Sequence, residues 1–286
     1  MLMRKLCFSC LFRQAVDAAW LLTEDQAKRE AILRGMGRLM AETDFERTPP
    51  EIGREMHAMI REVLQDPDPY LEIKREINAI TKSILPQLRQ RVESSSNPLE
   101  TAIRYAIAGN VIDFATFQSI SADEIIKTVD EAANRPINGL DSADFEAELR
   151  REDVKTLLYV CDNCGEVVWD ALLVEQLQKY VSVTVAVRGG AVVNDALLED
   201  AEFAGLTALC PVITTGCDVP GAPDSAVSEE FREVFLRSDL VIAKGQGNYE
   251  TMQPSARPVI HLFMVKCPVI QNLLGLPKGT LVFRKE

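Results

Sequence analysis

The chain has 286 residues, 47% of them hydrophobic, enough to bury a substantial core in one large or two modest domains. Its formal net charge of −12 excludes the basic surface on which binding to a phosphate backbone rests, so nucleic acid is not an expected partner. The only histidines are His57 and His261, and there is neither a G-x-S-x-G elbow nor a GxxxxGK(S/T) loop, which disfavours a Ser-His nucleophile and P-loop chemistry.

The first residues, MLMRKLCFSCLFRQAVDAAWLL, have the early basic pair of a signal peptide, but Arg13, Gln14 and Asp17 interrupt the apolar stretch. Leu11, Ala15, Ala18, Ala19 and Leu22 are spaced for an amphipathic helix instead. No uninterrupted apolar run reaches membrane-spanning length, and seven cysteines without a secretion signal suit a reducing compartment, so a cytoplasmic, membrane-free protein is expected. From residue 11 to about 148 the pattern is helical throughout, punctuated at Thr48-Pro49-Pro50, Asp66 to Pro69, Ser94 to Pro98 and Arg135 to Gly139.

Near residue 150 the periodicity turns strand-like, which predicts a helical domain over 1–150 and an α/β domain over 151–286. VKTLLYV (154–160), VSVTVAV (181–187) and DLVIA (239–243) are apolar, β-branched runs, with helices expected over 167–180 and 196–204. A short further strand is expected at 206–209, then a glycine-containing loop from Pro211 to Asp218, and late edge strands at 258–265 and 280–284. The β-α-β order implies an α/β fold with a Rossmann-like, mainly parallel sheet, its carboxyl edge capped by the all-helical N-terminal domain.

Three of these strands end on polar residues. The first runs into Asp162-Asn163 with Gly165 and Glu166 behind, the second into Arg188 and Asn194-Asp195, and the third into Lys244, Asn248 and Glu250. If the strands are parallel neighbours, these groups meet at one edge. Oxygen donors of this type suit Mg, Mn or Co, so Asp162, Asn163 and Asp195 are candidate ligands of one divalent ion. Lys244 and Arg188 supply positive charge for an anion, and Gly245 and Gly247 allow close backbone approach. Together these are the parts of metal-assisted phosphoryl hydrolysis. Asp and Asn after a strand also serve simply as helix caps and turn residues.

The segments DNCGEVVWD (162–170), RGGAVVNDAL (188–197) and KGQGNYE (244–250) resemble the signature blocks of the domain-of-unknown-function 89 family, the damage-control phosphatases. CFSCLFRQA (7–15), DPDPYLEIKREIN (66–78) and AIAGNVIDF (106–114) extend the likeness over nearly the whole chain, and the Cys-x-x-Cys start with Lys266-Cys267-Pro268 looks like the stand-alone microbial subgroup. The resemblance implies a phosphatase of small phosphorylated metabolites, such as damaged or surplus sugar phosphates or cofactor intermediates, dependent on Mn, Co, Ni or Mg. It implies metal ligation by Asp162, Asn163 and Asp195 and binding of the substrate phosphate by Lys244. Glu166, Asn194, Asn248 and Glu250 fall in matching positions as surrounding or substrate contacts, and Asn110 and Asp113 are expected to face the same pocket.

Cysteines flank the Asp-Asn pair at 161 and 164, and with Cys7 and Cys10 they make two Cys-x-x-Cys pairs. These lie much farther apart than the about 15–20 residues of a zinc ribbon, and Cys161 at a buried strand end reads as a small hydrophobe. The resemblance groups Cys7, Cys10 and Cys267, either as a second metal site or as a join between the halves. Two other classes fit a Rossmann-like sheet with an acidic strand end: an S-adenosylmethionine-dependent carboxyl methyltransferase, although the glycine-rich first turn is missing, and a non-catalytic metal- or metabolite-binding protein.

Overall fold

The computed structural model of the protein describes residues 1–110 and 122–286. The N-terminal part is built from α1 (Lys5–Leu22), α2 (Gln26–Glu42), α3 (Pro49–Leu64), α4 (Leu71–Ser94), α5 (Pro98–Gly109), α6 (Ala122–Ala133) and α7 (Ser142–Leu149). The punctuation supplies the boundaries. Thr48 and Glu51 form a reciprocal capping box ahead of α3 with Pro49 in its first turn, and Asn97 caps α5 ahead of Pro98.

The strands are β1 (Ile137–Gly139), β2 (Thr156–Val160), β3 (Ser182–Val187), β4 (Val212–Thr214), β5 (Leu240–Lys244), β6 (Ile260–Met264) and β7 (Leu281–Lys285). They form one sheet in the order β1-β7-β6-β5-β2-β3-β4, parallel except where β7 runs against β6. The connecting helices are α8 (Glu166–Leu177), α9 (Leu198–Ala204), α10 (Leu206–Leu209), α11 (Glu229–Arg237), α12 (Gly245–Thr251) and α13 (Pro268–Leu274). From β2 the chain builds outward through β3 and β4 on one side and returns through β5 and β6 on the other. The carboxyl ends of β2, β3 and β5 therefore meet at a reversal of strand order, where open α/β sheets form their crevice.

Three expectations are corrected. The late runs 258–265 and 280–284 are not edge strands, because β6 pairs with both β5 and β7 and β7 with both β6 and β1, which leaves β1 and β4 at the edges. Residues 206–209 are a helical turn, not a strand, because Gly205 ends α9 in the left-handed conformation (φ 89°) and the chain re-enters a helix at once; the strand beside β3 starts at Val212. The stretch before residue 150 is not wholly helical either, since β1 pairs in parallel with β7. Three residues are too few to show a period of two, and their partner lies far along the chain.

Helix α8 is buried nearly all round, packed between the sheet and helices α4 and α5, and carries the buried Glu166 and Asp170 among its apolar side chains. Helix-rich and strand-rich segments meet near residue 150, but one apolar core crosses that point, from Leu88, Ile103 and Phe145 to Leu157, Trp169 and Phe283. Helices α1 to α3 keep a separate core around Leu11, Met36, Met56 and Ile60. Among the described residues no helix is long and apolar enough to cross a membrane.

Polar staples tie the helices to the carboxyl edge. Arg54 and Arg61 of α3 both pair with Asp218, the latter at 2.9 Å. The buried Asn78 of α4 donates to Asp200 at 2.6 Å and accepts from the Gly165 amide at 2.6 Å, and Trp169 donates to the Thr81 carbonyl at 3.0 Å. An Asn78→Ala change takes the donor from Asp200 Oδ1, whose other oxygen keeps the Leu197 N–H, and leaves the Gly165 N–H without its acceptor. It is expected to cost about 2–4 kcal/mol in urea unfolding; a loss under about 1 kcal/mol would show that water replaces the staple.

Candidate metal and phosphate site

The site begins where β2 stops. The Cys161 amide still bonds to the Ala186 carbonyl at 2.9 Å, after which the chain turns through Asp162, Asn163 and Gly165 (φ 70°) into α8. The segment after β3 folds back over this turn: Cys164 N–H donates to the Asn194 carbonyl at 2.7 Å, Ala196 N–H to the Asp162 carbonyl at 2.8 Å, and Asn163 pairs with Asp195 in an isolated antiparallel bridge. Val193 sits in this segment at φ 46°, a conformation that costs a β-branched residue on the order of 1–2 kcal/mol. The strain accompanies the tight turn that sets Asp195 beside Asp162.

Asp162, Asn163 and Asp195 thus come together, as their positions at the strand ends predict. Arg188 is fully buried behind the two acids, its Nε 2.6 Å from Asp195 Oδ2 and its Nη2 3.7 Å from Asp162 Oδ1. Asn110, at the end of α5, donates from Nδ2 to Asp162 Oδ2 and Glu166 Oε2, each at 2.9 Å. Asn163 Nδ2 donates to the same two oxygens at 2.7 and 3.2 Å. Gly245 (φ 75°) begins α12 against this group, and any side chain at that position would collide with the Asp162 carboxylate.

Lys244 is placed otherwise than the resemblance implies. Its ammonium is fully buried and spends its three donors on the Ala106 carbonyl at 2.8 Å, Asp170 Oδ1 at 2.6 Å and Glu166 Oε1. Asp170 also accepts from the Tyr159 hydroxyl at 2.7 Å. Burial opposes the charge on Lys244, but Asp170 and Glu166 outweigh it and hold the ammonium above its ordinary range. Asn248 is likewise internal, donating to the carbonyls of Cys161 and Lys244 at 3.0 and 2.6 Å. Asn194 contributes its backbone carbonyl, and Asp113 lies outside the described residues.

A cavity of about 240 Å³ opens over Asp162, Asn163, Asp195 and Asn110, roofed by Gly53 and His57 of α3 and by Leu11 and Gln14 of α1. Larger clefts exist elsewhere, one of about 310 Å³ by α11 and one of about 530 Å³ by Asp218, but neither holds the paired acids. The cation that lines the acidic cavity is Lys266, just past the end of β6, and its ammonium has no ion pair or hydrogen bond with a described residue. Gln246 holds it in place by accepting from the Lys266 N–H at 2.6 Å. The strand-end reading misses Lys266 although the same signal is present: the apolar run 258–265 ends on it.

Charge sets the character of the site. Asp162, Asp195, Glu166 and Asp170 are four buried carboxylates facing two buried cations, Arg188 and Lys244, a formal surplus of two negative charges when all four acids are ionised. Asp162 is raised to about 7, first by burial and then by the nearby Asp195 and Glu166, and burial likewise raises Asp195. Glu250, in the cavity wall, is pushed up to about 7 by burial. Among the described residues no three His, Cys, Asp or Glu side chains converge as a metal-holding group. The oxygen set over the cavity consists of two carboxylates and the amides of Asn163 and Asn110, a donor set of the hard, oxygen-only kind that fits Mg or Mn.

The proposed second metal group does not assemble as three ligands among the described residues. Cys10 and Cys267 lie near enough to Cys7 to add to the rise that burial gives its thiol. Cys267 instead caps α13, accepting from the Ile270 amide at 3.4 Å and from Gln246 Nε2 at 3.6 Å.

Comparison with known proteins extends the likeness over the entire molecule. The chain is 31% identical over 280 residues to a damage-control phosphatase of Pyrococcus horikoshii, covering 96% of this chain and 95% of that protein. It is 28% identical over 281 residues to a damage-control phosphatase of Archaeoglobus fulgidus, covering 97% and 96%. An uncharacterized protein of Methanocaldococcus jannaschii is 31% identical over 288 residues, covering 98% of this chain and 94% of that one. A crystal structure of a DUF89 family protein from Pyrococcus horikoshii superposes with a TM-score of 0.91 at 30% identity, over 100% of this chain and 99% of that one. The sequence profile described as the damage-control phosphatase ARMT1-like domain matches residues 3–282, and the chain belongs to that family.

Proposed function

We propose that the protein is a divalent-metal-dependent phosphomonoesterase acting on small phosphorylated metabolites. The observation that carries this reading is the formal surplus of two buried negative charges beneath an oxygen-lined cavity that is also lined by Lys266, whose ammonium is unpaired among the described residues. A divalent cation would cancel that surplus, whereas buried negative charge in excess of its partners is costly. The names of the relatives from Pyrococcus and Archaeoglobus support the phosphatase class.

Asp162, Asp195 and Asn163 would hold the ion. When bound, it would supply Lewis-acid polarisation of a phosphoryl oxygen and acidify water. The chain's own residues do the rest. Lys266 binds the phosphate by a charge-assisted contact. Arg188 keeps the two acids from repelling each other, and the α1 and α3 roof with Gln14 and His57 sets which leaving group fits the cavity.

The direct test is a screen of phosphorylated metabolites and a general aryl phosphate with Mn, Co, Ni and Mg. Turnover is expected with at least one of them and none after chelation. Asp162→Ala and Asp195→Ala should each abolish turnover while keeping the circular-dichroism melt; full activity in either variant removes the assignment.

Lys266→Ala removes a charged hydrogen bond of about 1.5–3 kcal/mol, so KM for aryl phosphate should rise about tenfold or more with Mn affinity unchanged. An unchanged KM would place the phosphate elsewhere.

Protons compete with the cation for Asp162. Its folded value lies above the ordinary 3.8, at about 7, so below neutrality the fold favours the protonated acid and above it the carboxylate is free. Mn affinity measured by calorimetry should therefore climb from pH 5.5 to 7 and level off above; a flat profile over that range contradicts ligation by Asp162.

A further inference from the structure

Lys244 is poorly placed to bind a phosphate, because all three of its donors are already committed inside the protein and it does not line the cavity. Giving one to a substrate would break a buried ion pair. Its contacts place it behind Glu166. One oxygen of Glu166 is held by Lys244, and the other accepts from the amides of Asn110 and Asn163.

Those amides donate to Asp162 as well, so the Asn110 Nδ2 group has both hydrogens committed to carboxylate oxygens. Turning the amide round would set its oxygen against two carboxylates. The orientation is therefore dictated by charge, and it directs Asn110 Oδ1 away from the acids. That oxygen is buried, belongs to a residue only 1% exposed that lines the cavity, and accepts no hydrogen bond from any described residue. A buried acceptor left unpaired costs about 1–3 kcal/mol unless something in the cavity completes it.

We propose that Asn110 is a further oxygen ligand of the divalent cation, and that Lys244 is a positioning residue that fixes this ligand through Glu166 instead of a phosphate contact. The proposal rests on the metal-phosphatase reading above. Hard divalent cations take six or more oxygens, and the two acids with Asn163 leave places open. A neutral amide fills one without adding to the negative charge that the site already carries in excess.

The test is Mn binding by the full chain without substrate, followed by calorimetry and by the electron paramagnetic resonance of free Mn. Asn110→Ala should weaken binding about 10- to 100-fold. Asn110→Asp keeps an oxygen but loses the donor, and should restore most of the affinity. If Asn110 serves only to donate to Asp162 and Glu166, the Asp variant will bind no better than the Ala variant, and the assignment fails.

Lys244→Met should weaken Mn binding as well, with KM for aryl phosphate at saturating Mn within about threefold of wild type. A phosphate ligand would give the opposite split, a raised KM with Mn affinity intact. Should that variant not fold, because it strands Glu166 and Asp170, the Asn110 pair decides alone. Wild-type Mn affinity in Asn110→Ala overturns this inference and leaves the phosphatase reading standing. A wild-type protein that binds no Mn overturns both.

Discussion

A carboxylate taken out of water costs several kcal/mol unless opposite charge and hydrogen bonds replace its solvation, and this protein buries four of them in one connected group with only two buried cations. Much of the architecture at the carboxyl edge follows from that constraint. Arg188 at the end of β3 is drawn between Asp162 and Asp195, Lys244 at the end of β5 is locked between Glu166 and Asp170, and Asn110 comes down from α5 to bridge Asp162 and Glu166. Each contact softens the repulsion without removing it. What remains is an uncompensated formal negative charge beneath the cavity, the feature on which the proposed cation site rests.

The cations divide into two kinds by burial. Arg188 and Lys244 are internal and stabilise the acids they touch: Lys244 spends all three donors inside the protein, while Arg188 pairs through Nε with Asp195 and leaves both Nη groups without a hydrogen bond among the described residues. Lys266 faces the cavity with its ammonium unengaged by described residues, and is the one available to an incoming anion. The overall charge of −12 gives no long-range attraction for such an anion. On the proposed function, capture of substrate would therefore fall to short-range contacts in the cavity, beneath the helical roof that bounds it.

That roof is not an independent lid. Helices α4 and α5 share their apolar core with the sheet and α8, and Asn78, Thr81 and Asn110 reach from them into the turn after β2. Helices α1 to α3 have their own core and touch the edge through Arg54, Arg61 and the residues over the cavity. The acids and amides of the cavity floor are thus held by the part that shares its core with the sheet, while the more separately packed helices shape the space above them. Near-complete coverage of relatives at about 30% identity, with a TM-score of 0.91 to a solved relative, fits a framework of this kind.

Much of the sheet was legible in the sequence because a buried parallel strand is a continuous apolar run, and the residue that follows it is the one delivered to the crevice. That local logic places Asp162, Asn163, Arg188, Asp195 and Lys244 at a common edge. It also contains Lys266, at the end of a run that reads as an edge strand but lies inside the sheet between β5 and β7. Periodicity fails at 137–139 and 206–209, where three or four residues carry no reliable period and a distant partner or a left-handed glycine decides the conformation. The sequence by itself determined which residues arrive at the site. Only the tertiary structure decided which way they point: that Lys244 turns inward to Asp170, that Lys266 turns outward, and that two carboxylates hold Asn110 with its oxygen free. Those choices depend on through-space charge and on solvation, and neither is encoded in the spacing along the chain.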